Sequence, residues 1–537
     1  MRPDGSDRRV HFIFPAADEV AQSPDGKWLA YQEADNVYLM PFPEFGTGAA
    51  APRVDRKMPQ FTVKALTKEG GNFPHWLDAS TLEFGSANHF SIYHLDSAKT
   101  DTSEIHLKVT RNIPKGSIAL VGGRIVTLEN RKVIENGTVV IKGNRIACVG
   151  TCSAAGVDRK IDVRGKTIIP GLIDMHAHHF REYNGITPPH DYEQSSYLAY
   201  GVTTNLDPST WWQNVFPIAE LIEAGGMIGP RTYSTGDPIY NGDGIRWNEI
   251  SSYEAAEQTI NRLMSYGAVS LKQYLQPRRD QRQWIVDVAR KKGLIVTGEG
   301  DSLEYNIGTT IDGQTGWEHP MSYVPLYGDA TKFFGMAHVD YSPTFVVGGA
   351  GPWNEEYFFQ RSELWKDAKL ARWTPWLELL PHTRRPVVRP ESDYSFPLLS
   401  QALADIIANG GHGAIGGHGQ QHGIGSQWEV WMAASALGPM GALEVASRDG
   451  AWFLGMEKDL GTIETGKLAD LLILNSNPLE DIHNTNDIQS VMKGGILFDG
   501  TTLDEIWPDK KPFGEPYWAN PEATRTDVRT VGPEPKK

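Results

Sequence analysis

Pro170-Gly171-Leu172-Ile173-Asp174-Met175-His176-Ala177-His178 decides the reading of this chain: a hydrophobic strand that runs straight into two histidines one residue apart. Side chains alternate along a strand, so His176 and His178 leave it on the same side and can share one metal ion. A strand that carries such a pair at its C-terminal end delivers it to the mouth of a β/α barrel, where barrel enzymes assemble their sites. The neighbouring text has the matching grammar. From Lys166 to about Met456, short β-branched stretches alternate with amphipathic helices, as βα units do. After the first strand come GVTTNLD (201–207), PRTYSTG (230–236), AVSLKQYL (268–275), LIVTGEGD (294–301), QTGWEHP (314–320), YSPTFVVGG (341–349) and GAIGGHGQQHG (413–423). Helices such as RRDQRQWIVDVARKKG (278–293) show one apolar face at helical spacing. The fold expected for residues 166–456 is therefore an α/β (β/α)₈ TIM barrel.

Outside the barrel the text turns to β-structure. Residues 113–165 and 457–507 carry SIALVGGRIVT (117–127), GTVVIKGNRIACVG (137–150), KLADLLIL (467–474) and IQSVMKGGILFDG (488–500), and two β-rich flanks suggest one small composite β-sandwich. Residues 1–112 read as turn, strand, turn, strand in SPDGKWLAYQEADNVYLMP (23–41), and the layout returns in FPHWLDASTLEFGSANHFSIYHLD (73–96). Weak repetition of this kind is what β-propeller blades look like. So short a stretch supplies too few blades for a ring, leaving strand edges that a homo-oligomer would cover. The stretch 349–392 interrupts the barrel pattern with Trp353, Trp365, Trp373 and Trp376, as a lid or specificity wall, or as an insertion with its own small core. Residues 508–537, rich in Pro and Lys, read as an extended tail.

Composition narrows the partners. Fifty-one Lys and Arg against 66 Asp and Glu give a formal charge of -15, and no basic block would track a phosphate backbone, so nucleic acid is not expected. No run approaches the roughly 20 apolar residues of a membrane helix, so no membrane partner is expected and the chain reads as soluble. The turn-rich start, Met1 followed by RPDGSDRRV, resembles the middle of a domain. With an upstream signal segment the protein would be periplasmic or secreted, and without one cytoplasmic. Cys148 and Cys152, the two cysteines, suit either free thiols or one small disulfide loop.

The strand with the paired histidines, GVTTNLD, and ALEVASRDGAWFLGMEKDLGTIETGKLADLLIL (442–474) together resemble the amidohydrolase superfamily, in the branch similar to imidazolonepropionases and imidodipeptidases. The likeness runs from Ser117 to about Gly500. The SPDG turn before Trp28-Leu29-Ala30-Tyr31 resembles TolB-type (PD40-like) propeller blades. What the superfamily resemblance implies is a site of metal ligands at successive strand ends: His176 and His178, Lys272 on strand four, Glu299 on strand five and His319 on strand six. Lys272 would bind as a carbamate formed with carbon dioxide, since an ammonium has no lone pair to offer. Glu318, next to His319, would point the other way.

Two positions depart from the family pattern. Strand five usually supplies histidine where Glu299 stands, and strand eight usually ends in an aspartate where His418 stands, with His422 beyond it. His418 would be the catalytic proton carrier, while His179 and His422 would line the pocket. The implied cofactors are one or two divalent ions, zinc by default, with manganese or iron as alternatives. The implied function is metal-dependent hydrolysis of an amide or peptide-like bond in a small molecule or small peptide. A lactonase, a deaminase, or an inactive barrel serving as a propeller-linked binding module are the alternatives.

Overall fold

The computed structural model describes residues 10–43, 50–55, 60–179, 187–240, 250–274, 276–349, 351–383 and 387–519. They fall into two compact units, the first comprising Met1–Val109 with Asp237–Ala268 and Gln273–Gly293, the second the remainder.

In the first unit, two four-stranded antiparallel sheets follow one another: Ala17–Gln22, Trp28–Glu33, Asn36–Pro41 and Lys64–Ala65, then Asn72–Trp76, Thr81–Ser86, His89–His94 and Lys99–Glu104. The SPDG turn is fixed by Ser23, whose hydroxyl donates to Asp25 Oδ1 (2.7 Å) and accepts from the Trp28 N–H (3.0 Å). Ala30, Val37 and Leu39 of the first sheet pack with Trp76, Leu82, Phe84 and Tyr93 of the second, so one apolar cluster serves both. This β-rich region shares its unit with the helices Tyr253–Tyr266 and Arg279–Lys292. Asn72 Nδ2 donates to Tyr266 OH at 2.6 Å, and Arg262 pairs with Asp35 at 3.1 Å.

The second unit is mixed α/β. Strands from both flanks join one nine-stranded sheet in the order Arg145–Gly150, Val133–Lys142, Ser117–Val126, Thr167–Pro170, Leu471–Leu474, Ile488–Lys493, Ile496–Asp499, Glu505–Trp507, with Arg159–Asp162 pairing beside Ser117–Val126. Cys148 and Cys152 form a disulfide at the end of Arg145–Gly150. The stretch read from the sequence as one first strand is two. Thr167–Pro170 belongs to the nine-stranded sheet, and Leu172–Asp174 to a parallel set. The change happens at Gly171, whose N–H goes to Asp470 O (2.9 Å) and where a Cβ would collide with Thr203.

The parallel set follows chain order. Leu172–Asp174 pairs with Val202–Asp207, and that strand with Arg231–Ser234. Ser270–Lys272 pairs with Ile295–Thr297, Thr297–Glu299 with Gly316–Glu318, Gly316–Glu318 with Asp340–Ser342, and Asp340–Tyr341 with His412–Gly413. In the insertion, Trp373 is fully buried, donates through Nε1 to Thr501 O (3.0 Å) and meets the ring of Phe513 at 5.1 Å. Trp353 is half exposed. Residues 520–537 of the expected tail lie outside the described residues. No helix among the described residues is long and apolar enough to cross a membrane.

Candidate metal centre

Of the six side chains singled out from the sequence, Lys272 comes from the middle of the strand Ser270–Tyr274, Glu299 from the last residue of Ile295–Glu299, and His176, His178, His319 and His418 from beyond the ends of parallel strands. Ring centroids of His176 and His178, His176 and His319, His176 and His418, His178 and His418, and His319 and His418 lie 4.7 to 4.8 Å apart. His176, His178 and His418 offer ligand nitrogens that all lie within 4.8 Å of one another. His418 is brought there by its own main chain: its N–H donates to His176 O at 2.7 Å, and its φ of 58° is left-handed.

Each of these three rings is oriented from behind through Nδ1. His176 Nδ1 lies 3.0 Å from Thr344 Oγ1, and since that hydroxyl donates to Ser342 O (3.4 Å), it accepts from the ring. His178 Nδ1 donates to Asp207 Oδ1 (3.3 Å), and His418 Nδ1 to Gln420 Oε1 (2.9 Å). With the proton on Nδ1, each Nε2 presents a lone pair, the tautomer a metal-binding imidazole needs. Burial, then the charge of Lys272 and the neighbouring imidazoles, holds His176 well below the ordinary histidine range. Burial and then His178 bring His418 down to about 4. His176 Nε2 and His178 Nε2 stand 3.1 Å apart. With both rings protonated on Nδ1, that spacing suits two nitrogens sharing one cation, since nitrogens of a tetrahedral zinc site are about 3.3 Å apart. The donor set fits a divalent ion.

Lys272 is 1% exposed and lies 2.7 Å from Glu318 Oε2 and 3.2 Å from Glu299 Oε1. Burial opposes its charge, but the two glutamates outweigh burial and raise its pKa. His319 Nε2 lies 3.8 Å from Glu299 Oε1. Burial, then His418 and Lys272, lowers the His319 ring to about 2. Glu318 corrects the expectation that it would point away. It lies 3.7 Å from His176 Nε2 as well as against Lys272. The strand ends at Glu318, so alternation sends Gly316 and Glu318 inward and Trp317 outward. His319, past the strand end, has a left-handed φ of 66°, which breaks the alternation and brings its ring to the same side.

His179 and His422 stand behind His178. His179 accepts at Nδ1 from Gln194 Nε2 (2.8 Å) and donates its backbone N–H to Asp207 Oδ2 (3.0 Å). His422 Nε2 donates to His178 O (3.1 Å). Asp207, fully buried, thus braces His178 and His179. Burial works to raise its pKa, but the hydrogen bond and charge of His178 outweigh it and the net shift is downward. Asp207, Thr344 and Gln420 were missed in the sequence. Asp207, at the end of GVTTNLD, was the one with a visible signal, an acidic residue closing an apolar strand.

Residues 401–497 match the amidohydrolase family. The 5'-deoxyadenosine deaminase of Methanobrevibacter smithii is 22% identical over 431 residues, covering 69% of this chain and 90% of that protein. The adenine deaminase of Sinorhizobium fredii is 35% identical over 92 residues, 17% of this chain and 15% of that one. A solved Xaa-Pro dipeptidase with methionine bound in its active site shares the fold with a TM-score of 0.55 at 19% identity, covering 71% of this chain and 100% of that chain. The family match and the deaminase relatives support a hydrolase that acts on carbon–nitrogen bonds, and the solved structure shows the fold.

Proposed function

We propose that this chain is a metal-dependent amidohydrolase that cleaves an amide or peptide-like bond of a small molecule or small peptide. The observation that carries the reading is the convergence of His176, His178 and His418, whose ligand nitrogens lie within 4.8 Å of one another, with His176 Nε2 and His178 Nε2 3.1 Å apart. In this reading His176, His178, Lys272, Glu299 and His319 hold one or two divalent ions, zinc by default, with Lys272 carboxylated if there are two. A divalent ion there supplies Lewis acidity, lowering the pKa of water from about 15.7 toward about 7 and polarising the scissile carbonyl.

The remaining work falls to the chain. Asp207, Thr344 and Gln420 hold the imidazoles in one tautomer, and the buried walls exclude bulk water. His418 takes a proton from the attacking water and returns it to the leaving nitrogen. Because its Nε2 lies in the same triad as the other two rings, the test must separate ligand from proton carrier. His418→Ala that keeps its metal and loses turnover supports the proton role; loss of the metal makes His418 a ligand instead.

The proposed architecture is a (β/α)₈ barrel over 166–456, a composite β-domain from 113–165 and 457–507, and partial propeller blades over 1–112. Barrel closure is supported by Val269 N–H donating to Ser234 O (3.2 Å), and by Met175 N–H donating to Ile415 O (2.9 Å) beside a parallel bridge from Asp174 to Ile415. A second reading, deamination, is favoured by the deaminase relatives. Elemental analysis of protein purified without chelator, followed by initial rates on blocked dipeptides, lactones and aminopurine nucleosides, tests both. One to two metal equivalents lost in His176→Ala, with turnover of the peptides, supports the first reading. Turnover of the nucleosides alone transfers it to the second, and a protein without metal after incubation with zinc, manganese and bicarbonate refutes both.

A further inference from the structure

Glu429 lies on the helix Ile424–Leu443 and is fully buried. A carboxylate is costly to bury unless its oxygens are satisfied, and both oxygens of Glu429 are spent on main-chain N–H groups of two different segments. Val346 donates to Oε1 at 2.7 Å and Gly416 to Oε2 at 3.2 Å. Each of those amides lies two residues from a member of the metal centre. Thr344, whose hydroxyl accepts from His176 Nδ1, precedes Val346; His418 follows Gly416.

Both of those residues are held in a backbone conformation that side chains seldom adopt. Thr344 has a φ of 49° and His418 a φ of 58°. For a β-branched threonine this is an outlier, and such conformations persist only where the surroundings over-determine them. Asp174 works beside Glu429, accepting from His176 N–H (3.1 Å) and Gly417 N–H (3.0 Å). The two consecutive amides of the Gly416-Gly417 turn are thus taken by two different buried acidic side chains.

We propose that Glu429 is a positioning residue that sets the metal centre from outside it, by fixing the Thr344–Val346 and Gly416–His418 segments to one helix. Through Thr344 it fixes the plane of the His176 ring, and through Gly416 the place from which His418 projects. The inference rests on the metal reading above.

Cobalt(II) bound to the whole protein is the probe, because its visible absorption reports coordination geometry and needs no substrate. Glu429→Gln keeps the shape but offers one acceptor and turns an amide donor toward a backbone N–H. The expected result is an altered cobalt spectrum and a 10- to 100-fold loss of cobalt affinity against a competing chelator, as for other residues that orient a metal ligand. A wild type that takes up no cobalt sinks the metal reading and this inference with it. A wild type that takes it up, matched in spectrum and affinity by Glu429→Gln, sinks this inference alone. Should Glu429→Gln not fold, Thr344→Val carries the test. It leaves the carboxylate and both its hydrogen bonds in place, and is expected to shift the cobalt spectrum; an unchanged spectrum overturns the route through Thr344.

Discussion

A methyl group added to Gly416 would stand 2.6 Å from the Cβ of His176 and 2.9 Å from Ser342 Oγ, and one added to Gly417 would stand 2.8 Å from Asp174 Oδ2. The double glycine in GAIGGHG is therefore a packing requirement of the metal centre. Gly416→Ala is expected to push His176 off its position, costing about 1 to 3 kcal/mol in urea unfolding and most of the bound metal in elemental analysis. Asp207→Asn should fold and keep its bulk but brace His178 more weakly, with a 10- to 100-fold loss of metal affinity measured by chelator competition. At this scale the six site residues could be read because each sits in or just past a parallel strand, where a short motif exposes it. Glu318 was misread because alternation was counted back from His319, across the strand end and a left-handed residue that sequence does not announce. Thr344 and Glu429 carry no local signal at all; what matters about them is a partner 168 residues away in the first case and 83 and 13 in the second.

Among the elements, the parallel strands were legible from their β-branched, apolar runs, and the bracketing strands from their turn-separated repeats. Their ends were not. The first strand reads as one continuous hydrophobic stretch, yet its halves serve different sheets because Gly171 passes against Thr203. Gly171→Val is expected to destabilise the second unit by about 1 to 3 kcal/mol through overpacking, seen as a lower urea midpoint, whereas Gly328→Ala, exposed, with open space around its Cβ position and no left-handed φ, serves as the control. The helix Ile424–Leu443 is broken at Gly438, whose φ of 67° and ψ of 173° are not helical, followed by Pro439. That break follows from composition, since proline cannot donate to the helix and glycine alone tolerates the turn. The insertion resisted reading for a different reason. Its tryptophans suit a lid or a core equally well, and only the partners of Trp373, Thr501 and Phe513, show that this residue packs against the turn before the last strand and the segment after it.

For the molecule as a whole, stability should follow both metal and pH. An ion that binds the folded chain alone stabilises it by about 2.7 kcal/mol at a hundred times its Kd, so chelation is expected to lower the melting temperature and His176→Ala to abolish that response. Glu355 gives a pH test at a residue that is not among the candidate ligands. It is 3% exposed, its Oε2 has no hydrogen-bond partner among the described residues, and burial, then Glu356, raises its pKa from 4.5 to about 8. The folded state thus holds a proton that the unfolded chain releases near 4.5. This contribution is fullest below that value and fades as pH rises toward 8. Glu355→Gln should therefore gain stability on wild type steadily between about pH 5 and pH 8, read from urea midpoints; parallel curves would show that the carboxyl is solvated or paired in solution.

The strand that changes sheets at Gly171 also limits how the protein can be cut for engineering. Leu471–Leu474 is flanked on one side by Thr167–Pro170 and on the other by Ile488–Lys493. A trimmed gene that begins just after Pro170, or one that stops before Leu471, would strip one member of that pair and leave the other as a bare apolar border, open to sticking to its copies. A minimal catalytic version must therefore keep both flanks, and splitting the gene into two co-expressed pieces is safest in the exposed loop around Gly156.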